Sequence, residues 1–292
     1  MRKLFILSGL LTFALLASCN KEEANLPAVN DGEIVFTAQG DGIEASVHTR
    51  ATTEVKSLSS FNVLCVTGTA GSSESSVFNI SFTGPTNYTG GKYWPSTNPS
   101  YKFYASNASM TSAAGGPTIS ASNGTDIVCA TCLSPTYKES NALTFEHIFA
   151  RVGSCNISAP TDGCSVSNLT VKITPKISGT YSLYTGKGKT DGTGWSSTSN
   201  GSVVTLASST GSTSDNGLYL VPGSYTLDIA YTLTQGDFTK SYTKHSTVSL
   251  VGGKVNNLTA TLPGAGSDLS PITFTVTVNP WGSNAITMNI TD

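Results

Sequence analysis

Apolar and polar residues alternate with a period of two along almost every patterned segment of this chain. Examples are the pair Val171 and Ile173 and the run Leu227, Ile229 and Tyr231. Because successive side chains of a β-strand point to opposite faces, this alternation is typical of strands with one buried face. Turn clusters such as TGPTNYTGG and SAAGGPT follow one another too closely for long helices. The sequence therefore predicts an all-β fold.

The length of the chain predicts two β-sandwich domains. Strand-like runs that recur at short intervals along 292 residues are enough for two tandem seven-stranded sandwiches of about 100 residues or more each. A change in composition between Tyr137 and Asn141 separates them. We therefore expect an N-terminal sandwich over residues 31–139 and a C-terminal sandwich over residues 140–292.

The first residues carry the features of a lipoprotein signal peptide. Arg2 and Lys3 precede an apolar run, Leu4 to Leu16, that is too short to span a bilayer. The run ends in LASC, which resembles a bacterial lipobox with Cys19 as the acylated residue. These features predict a signal peptide over residues 1–18, lipidation of Cys19 and a linker over residues 19–30.

The short KEE run at residues 21–23 allows two interpretations. It resembles the tag that directs Bacteroidetes lipoproteins to the outer face of the outer membrane, and it is equally typical of a solvated linker. With the lipid on Cys19, the first interpretation places the protein at the cell surface, attached to the outer membrane.

Charge and motif content exclude several classes of function. A net charge of −2 provides no basic surface for nucleic acid. The sequence contains no HExxH, no GxSxG and no phosphate-binding glycine loop. The three histidines, His48, His147 and His245, are far apart in sequence. We therefore expect no catalytic residues, no metal and no cofactor, and interpret the chain as a non-enzyme.

Five cysteines follow Cys19, and an odd number leaves at least one unpaired: Cys65, Cys129, Cys132, Cys155 and Cys164. Cys129 and Cys132 would point to opposite faces of a strand, which disfavours a bridge between them. Cys155 and Cys164 flank a predicted hairpin turn, where both a bridge and an unbridged contact remain open. The spacing does not match a zinc ribbon.

Several short motifs, in this order along the chain, resemble the fimbrillin-like family of Bacteroidetes, the subunits of type V pili. They are TRAT at 49–52, SLSSFNVLCV at 57–66, YWP at 93–95, YKFYA at 101–105, LTFEHIFARV at 143–152, YLVPGSYTLDIAY at 219–231, LVGGKVNNLTATL at 250–262 and the late Trp281. The resemblance implies transthyretin-like sandwiches and a role as a structural subunit, stalk or tip, of a surface fimbria. The aromatic residues of these motifs are then expected in the sandwich cores.

The resemblance also implies a maturation step. An arginine-specific protease would cut between Arg50 and Ala51, and the strand before the cut would leave the N-terminal sandwich. Its inward-facing residues are predicted to be Ile34, Phe36, Ala38, Ile43, Ala45 and Val47. Arg151 lies in a segment that we expect to be a central strand, where paired backbone protects it from the same protease.

A strand from another pilin subunit would then fill the groove by β-augmentation. The natural donor is the regular C-terminal segment, residues 270–292. The predicted donor residues are Ile272, Phe274, Val276, Val278, Ile286, Met288 and Ile290.

Two other functions remain open at this stage. One is a pilus anchor that keeps its lipid and its first strand. The other is a carbohydrate-binding surface lipoprotein, in which Tyr93, Trp94 and Trp195 would form a platform for a host glycan; a host protein is a further candidate partner. A β-sandwich hydrolase would need a convergent carboxylate pair that the sequence does not reveal.

Overall fold

The computed structural model describes residues 32–40, 58–84, 87–96, 100–113, 115–122, 125–267, 270–281 and 289–290. Within these ranges the chain forms twenty β-strands and one 3-10 helix, Ala265–Ser267. The all-β expectation is confirmed. The first ten strands are β1 Glu33–Gly40, β2 Ser60–Thr69, β3 Ser73–Thr83, β4 Tyr88–Tyr93, β5 Lys102–Ser106, β6 Thr118–Ala121, β7 Val128–Cys132, β8 Ser140–His147, β9 Ala150–Ser158 and β10 Ser165–Ile173. The others are β11 Lys176–Ser182, β12 Trp195–Asn200, β13 Val204–Ala207, β14 Gly211–Ser212, β15 Leu218–Leu220, β16 Gly223–Gln235, β17 Phe238–Leu250, β18 Lys254–Thr261, β19 Thr275–Pro280 and β20 Asn289–Ile290.

The first strands close into a seven-stranded barrel in the order β1-β4-β3-β2-β5-β7-β8. Neighbouring strands are antiparallel except for β1 and β8, which are parallel and complete the ring. Inward-facing aromatic and aliphatic side chains fill the interior, as the alternation of a small barrel requires. Fully buried members are Ile34, Phe36, Val63, Phe82, Phe103, Leu143 and Phe145.

The later strands form three open sheets. Their orders are β13-β10-β16-β17, β12-β11-β6 and β14-β9-β18-β19-β20, with β15 pairing beside β14 on β9. Side chains from the first and third of these sheets share one apolar core, which is a sandwich-like arrangement. Val152, Val171, Ile229 and Leu258 are among its buried members. The period-two pattern of Leu227, Ile229 and Tyr231 therefore marks a buried face, as predicted.

A third core joins the barrel to the later sheets. Leu64 and Tyr104, on the outer face of the barrel, lie in the same buried cluster as Leu183 and Trp281. In addition, β6 pairs with β11, so that a strand from the first half of the chain belongs to a sheet of the second half. The strand that follows the expected boundary at Ser140 is β8, which pairs with β1 and β7 in the barrel. The division into two tandem seven-stranded domains stays a prediction.

Candidate functional site: the place of the first strand

The first strand, β1, completes the barrel between β4 and β8. It pairs antiparallel with β4 at Glu33, Val35 and Phe36. It pairs in parallel with β8 along Val35 to Gly40, opposite Ser140 to Phe145. If β1 left, β4 and β8 would each lose ladder partners and the barrel would open along one line. We call the space that β1 occupies the β1 slot.

Two large apolar side chains of β1 are fully buried in the barrel. Ile34 and Phe36 have no exposed surface, and Ala38, on the same face, is half-buried. The Phe36 ring lies edge-on to Phe82 and Phe103, with centroids 5.1 Å and 4.9 Å away. Burying a side chain of this size stabilises the fold by about 1.5–3 kcal/mol. The structure thus places this part of the predicted set in the core.

The connection after β1 is its covalent link to the rest of the barrel. Residues 41–57 lead from β1 to Leu58, just before β2, and β1 and β2 are separated in the barrel by β4 and β3. The predicted cleavage site, Arg50 and Ala51, falls within this connection and outside the described residues, as do three predicted strand residues, Ile43, Ala45 and Val47. The signal peptide and Cys19 also lie outside the described residues. A cut anywhere in this connection would leave β1 held by non-covalent contacts alone.

The parallel partner, β8, has an unusual distribution of ladder pairs. Between Ser140 and Phe145 it pairs with β1. Its pairs with β7 are formed at Glu146 and His147. Most of β8 therefore depends on β1 for its backbone hydrogen bonds.

Two cavities border the outer face of β8. They measure about 230 Å³ and about 280 Å³, and both are lined by Thr144 and Glu146. The smaller cavity is also lined by residues 129–131 of β7 and by Lys187, and the larger by residues 188–190 and the turn before β18. Glu146 Oε2 accepts a hydrogen bond from the amide of Gly188 across 3.2 Å. The outward side chains of β8 are thus only partly packed.

His147, the last residue of β8, connects the barrel to the end of the chain. Its Nδ1 donates to Asp126 Oδ1 across 2.9 Å, and both side chains are buried. Its ring stacks on the Trp281 indole, with centroids 4.0 Å apart and planes within 7°. Trp281 also stacks with Tyr219 at 5.8 Å. We call these residues, Tyr219, Trp281 and His147, the three-ring stack.

The sequence does not predict this stack, because its three residues are far apart along the chain. Asp126 precedes His147 by 21 residues, and Trp281 comes from the far end of the chain. His147 Nε2 and Trp281 Nε1 are both buried without a hydrogen-bond partner among the described residues. No sequence motif marks such a contact. The alternation of Leu143 and Phe145 with polar residues does indicate that the His147 side chain faces inward.

The predicted donor residues are divided between described and undescribed parts of the chain. Ile272, Phe274, Val276 and Val278 are buried in the chain's own sandwich core. There β19 pairs with β18 over its full length, from Thr275 to Pro280. β20 adds only the pairs Val276 with Ile290 and Thr277 with Asn289. Ile286 and Met288 lie outside the described residues.

All five described cysteines are free thiols, so Cys155 and Cys164 lie in one core without a bridge. Burial raises the pKa of Cys65 and Cys129 to about 12 and that of Cys155 to about 11. These thiols are protonated at neutral pH and are poor nucleophiles. In the described ranges no three His, Cys, Asp or Glu side chains come together as metal ligands.

The residues named for a sugar platform do not form one. Trp94 is buried and packs against Tyr101 at 5.7 Å, and Trp195 is half-buried beside Phe149. Tyr93 alone is widely exposed, at 61%. Trp94, Tyr101 and Trp281 therefore lie in or against the cores, as their family motifs imply.

Arg151 lies on a central strand, as predicted. Its backbone on β9 pairs with Val255 of β18 on one side and with Tyr219 of β15 on the other. Its side chain forms an ion pair with Asp215. Both edges of the backbone at this arginine are therefore occupied.

A sequence model described as fimbrillin-like matches residues 49–281 of the chain. The matched region begins just before Arg50 and ends at Trp281. No curated protein sequence matches the chain. None of the described segments is a helix long and apolar enough to cross a membrane.

Several solved structures are similar to the chain, including three from Parabacteroides and Bacteroides species. A candidate cell adhesion protein from Parabacteroides distasonis is 11% identical with a TM-score of 0.51, covering 87% of this chain and 99% of its own. A second candidate cell adhesion protein, from Bacteroides ovatus, is 14% identical with a TM-score of 0.46. The match covers 86% of this chain and 98% of that protein. A fimbrial assembly protein from Parabacteroides distasonis is 11% identical with a TM-score of 0.40. The match covers 84% of this chain and 96% of that protein. The first similarity supports a common fold over nearly the whole of both chains.

Proposed function

Because the chain belongs to the fimbrillin-like family, we propose that it is a structural subunit, stalk or tip, of a surface fimbria. Family membership supports a pilus-related or adhesin role, a cell-surface location and assembly with other pilin subunits. In the proposal, an Arg-specific protease matures the chain by cutting after Arg50, and the subunits assemble by β-strand exchange. The protein acts by binding its neighbours and catalyses no reaction.

The position of β1 is the observation that supports this mechanism most directly. β1 precedes Arg50 in sequence, fills the barrel with Ile34 and Phe36, and is tied to β2 through residues 41–57. While that tie is intact, the effective concentration of β1 at its slot is about millimolar or higher, so an incoming strand cannot compete. A cut after Arg50 removes this advantage and leaves an apolar slot with unpaired edges, which a strand of another subunit fills.

The inward residues of the C-terminal segment match those of β1. The β1 sequence runs Ile34-Val-Phe36-Thr-Ala38, and the later segment runs Ile272-Thr-Phe274-Thr-Val276. Both therefore present isoleucine, phenylalanine and a smaller apolar residue to one face. This similarity supports residues 270–292 of another subunit as the donor. Since β20 holds β19 by two residue pairs and β19 holds β18 by six, the end of the segment is the part released most easily.

Before maturation, the precursor is attached to the outer membrane through the lipid on Cys19. Cleavage after Arg50 separates the subunit from this lipid together with β1. A pilus anchor that keeps both is the alternative within the same family. The carbohydrate-binding alternative has less support, because Trp94 is in the core and Trp195 is half-buried.

N-terminal sequencing of the protein recovered from the cell surface tests the proposal. We expect a chain that begins at Ala51 and migrates as SDS-resistant ladders. An Arg50→Ala variant should keep residues 19–50 with the lipid and fail to form ladders, whereas the matched Arg151→Lys variant should mature normally. A monomer with a lipid-blocked Cys19 at its N-terminus would contradict the proposal and favour the anchor.

A further inference from the structure

We infer that β8 and the three-ring stack couple the two ends of the chain: departure of β1 loosens the attachment of β19 and β20. The physical basis of this coupling is independent of the proposed function. Its biological role would be to control when a donor segment becomes available, and that role rests on the proposed function. The coupling runs from β1 to β8, from β8 to His147, and from His147 to Trp281.

The first step is the dependence of β8 on β1. β8 forms six consecutive residue pairs with β1, from Ser140 with Val35 to Phe145 with Gly40. β7 supplies pairs at Glu146 and His147. Once β1 is gone, the backbone from Ser140 to Phe145 loses the partner that it has in the described structure. Segments with few protected backbone hydrogen bonds open at low free-energy cost.

The second step concerns what else holds β8. On the inner face, Leu143 and Phe145 stay in the barrel core, and Phe145 packs against Phe61 at 5.1 Å. On the outer face, the two cavities at Thr144 and Glu146 leave the strand partly unsupported. We therefore expect β8 to remain associated with the barrel but to open more often.

The third step carries this loosening to His147. It is the last residue of β8, and its ring position depends on the rest of that strand, on the backbone pair with Val128 of β7 and on the hydrogen bond to Asp126. The stacking contact with Trp281, at 4.0 Å and 7°, requires both rings to stay aligned. A strand that opens more often keeps this alignment for a smaller fraction of the time.

The last step links Trp281 to the C-terminal strands. Trp281 directly follows β19, and β20 is paired with β19 alone in the described structure. Tyr219 continues to stack with Trp281 after His147 is lost, so the attachment weakens without disappearing. The C-terminal segment of a subunit thus becomes available after its own β1 slot has opened. This order would keep precursors from polymerising before maturation.

Amide hydrogen exchange on the full chain tests the coupling. One sample is cut with an Arg-specific protease, and the control is an Arg50→Ala chain treated in the same way. Because a cut chain could retain β1, an uncut Phe36→Asp variant, which places a charge in the apolar slot, provides a second route to its loss. We expect exchange in β8 and in β19 to accelerate by about tenfold or more, with β16 and β17 unchanged.

A His147→Leu variant completes the test. It removes the stacking ring while leaving β1 in place, so exchange in β19 should be fast in the uncut chain and insensitive to the loss of β1. Acceleration in β8 with no change in β19 would overturn the inference, as would acceleration in every strand alike. If sequencing shows that Arg50 is never cut, the proposed function fails, and the Phe36→Asp result still decides the coupling.

Discussion

Phe36 of β1 packs edge-to-face against Phe103 of β5, with ring centroids 4.9 Å apart and planes at 79°. The two strands are not neighbours in the barrel wall, so the contact crosses its interior. Aromatic pairs in this geometry add about 0.5–1.5 kcal/mol to the free energy of burial. The first strand is therefore part of the barrel core.

Replacing Phe36 with alanine should destabilise the intact chain by about 3–5 kcal/mol, because it leaves a cavity next to Phe82 and Phe103. The matched control is Thr37→Ala, on the outward face of the same strand, which should change stability by less than about 0.5 kcal/mol. Urea unfolding followed by circular dichroism measures both values. Equal effects of the two substitutions would show that β1 contributes no buried face.

Arg151 should resist an Arg-specific protease under conditions that cut the chain after Arg50. Cleavage requires an extended, unpaired backbone, and β9 is paired on both sides at this residue. An Asp215→Ala variant removes the ion pair, which is half-exposed on the aspartate side and contributes about 0–1 kcal/mol. It should stay uncut at Arg151. Mass spectrometry of the digest detects each product, and rapid cleavage at Arg151 in the native protein would contradict a central β9.

His147 and Trp281 should show a coupling free energy in a double-mutant cycle. Each single variant, His147→Leu and Trp281→Leu, breaks the stacking contact, and the double variant should be more stable than the sum of the two losses predicts. For residues in direct contact the difference is about 0.5–3 kcal/mol. The unfolding free energies of all four proteins provide the measurement. If the losses of unfolding free energy were additive, the coupling free energy of the ring contact would be zero.

The buried Cys65 thiol should make the protein less stable in alkali. Burial raises its pKa from 9.0 to about 12, so the folded chain keeps a proton that the unfolded chain releases. The stabilisation from Cys65 is complete below pH 9 and is lost as the pH rises from 9 towards 12. Over this pH range, the unfolding free energy of a Cys65→Ala variant should therefore fall less steeply than that of the native protein. The difference in slope should correspond to the release of up to about one proton on unfolding. Burial also raises the pKa of the half-buried Cys132, but by less. A Cys132→Ala variant should therefore show a smaller change, and an equal change would contradict the burial effect.

The sequence predicted the buried faces but not their partners. The alternation of Ile34, Phe36 and Ala38 marks an inward face, and the structure places these residues on the barrel side of β1. Periodicity reports which side chains are buried and carries no information about the neighbouring strand. The parallel pairing of Val35 with Ser140 joins segments about a hundred residues apart, so no local pattern specifies it.

Local reasoning also failed at the contact between His147 and Trp281. A single histidine on an alternating strand is usually a structural residue, and that interpretation is compatible with its buried hydrogen bond to Asp126. The stacking on Trp281 arises from the topology, which brings the end of the chain against the end of β8. By contrast, Trp94 could be placed in a core from its motif alone, because the aromatic residues Tyr101 and Phe103 follow it closely in sequence and pack against it.

The β1 slot and the C-terminal segment lie in different parts of the molecule, one in the barrel wall and the other in the last sheet. An interface that joins two unlike surfaces has no two-fold symmetry and does not close on a pair. Every subunit added through such a contact would leave one unlike surface unused at each end of the assembly. The product would be a polar filament with chemically different ends, whose length is limited by supply or by a terminating subunit.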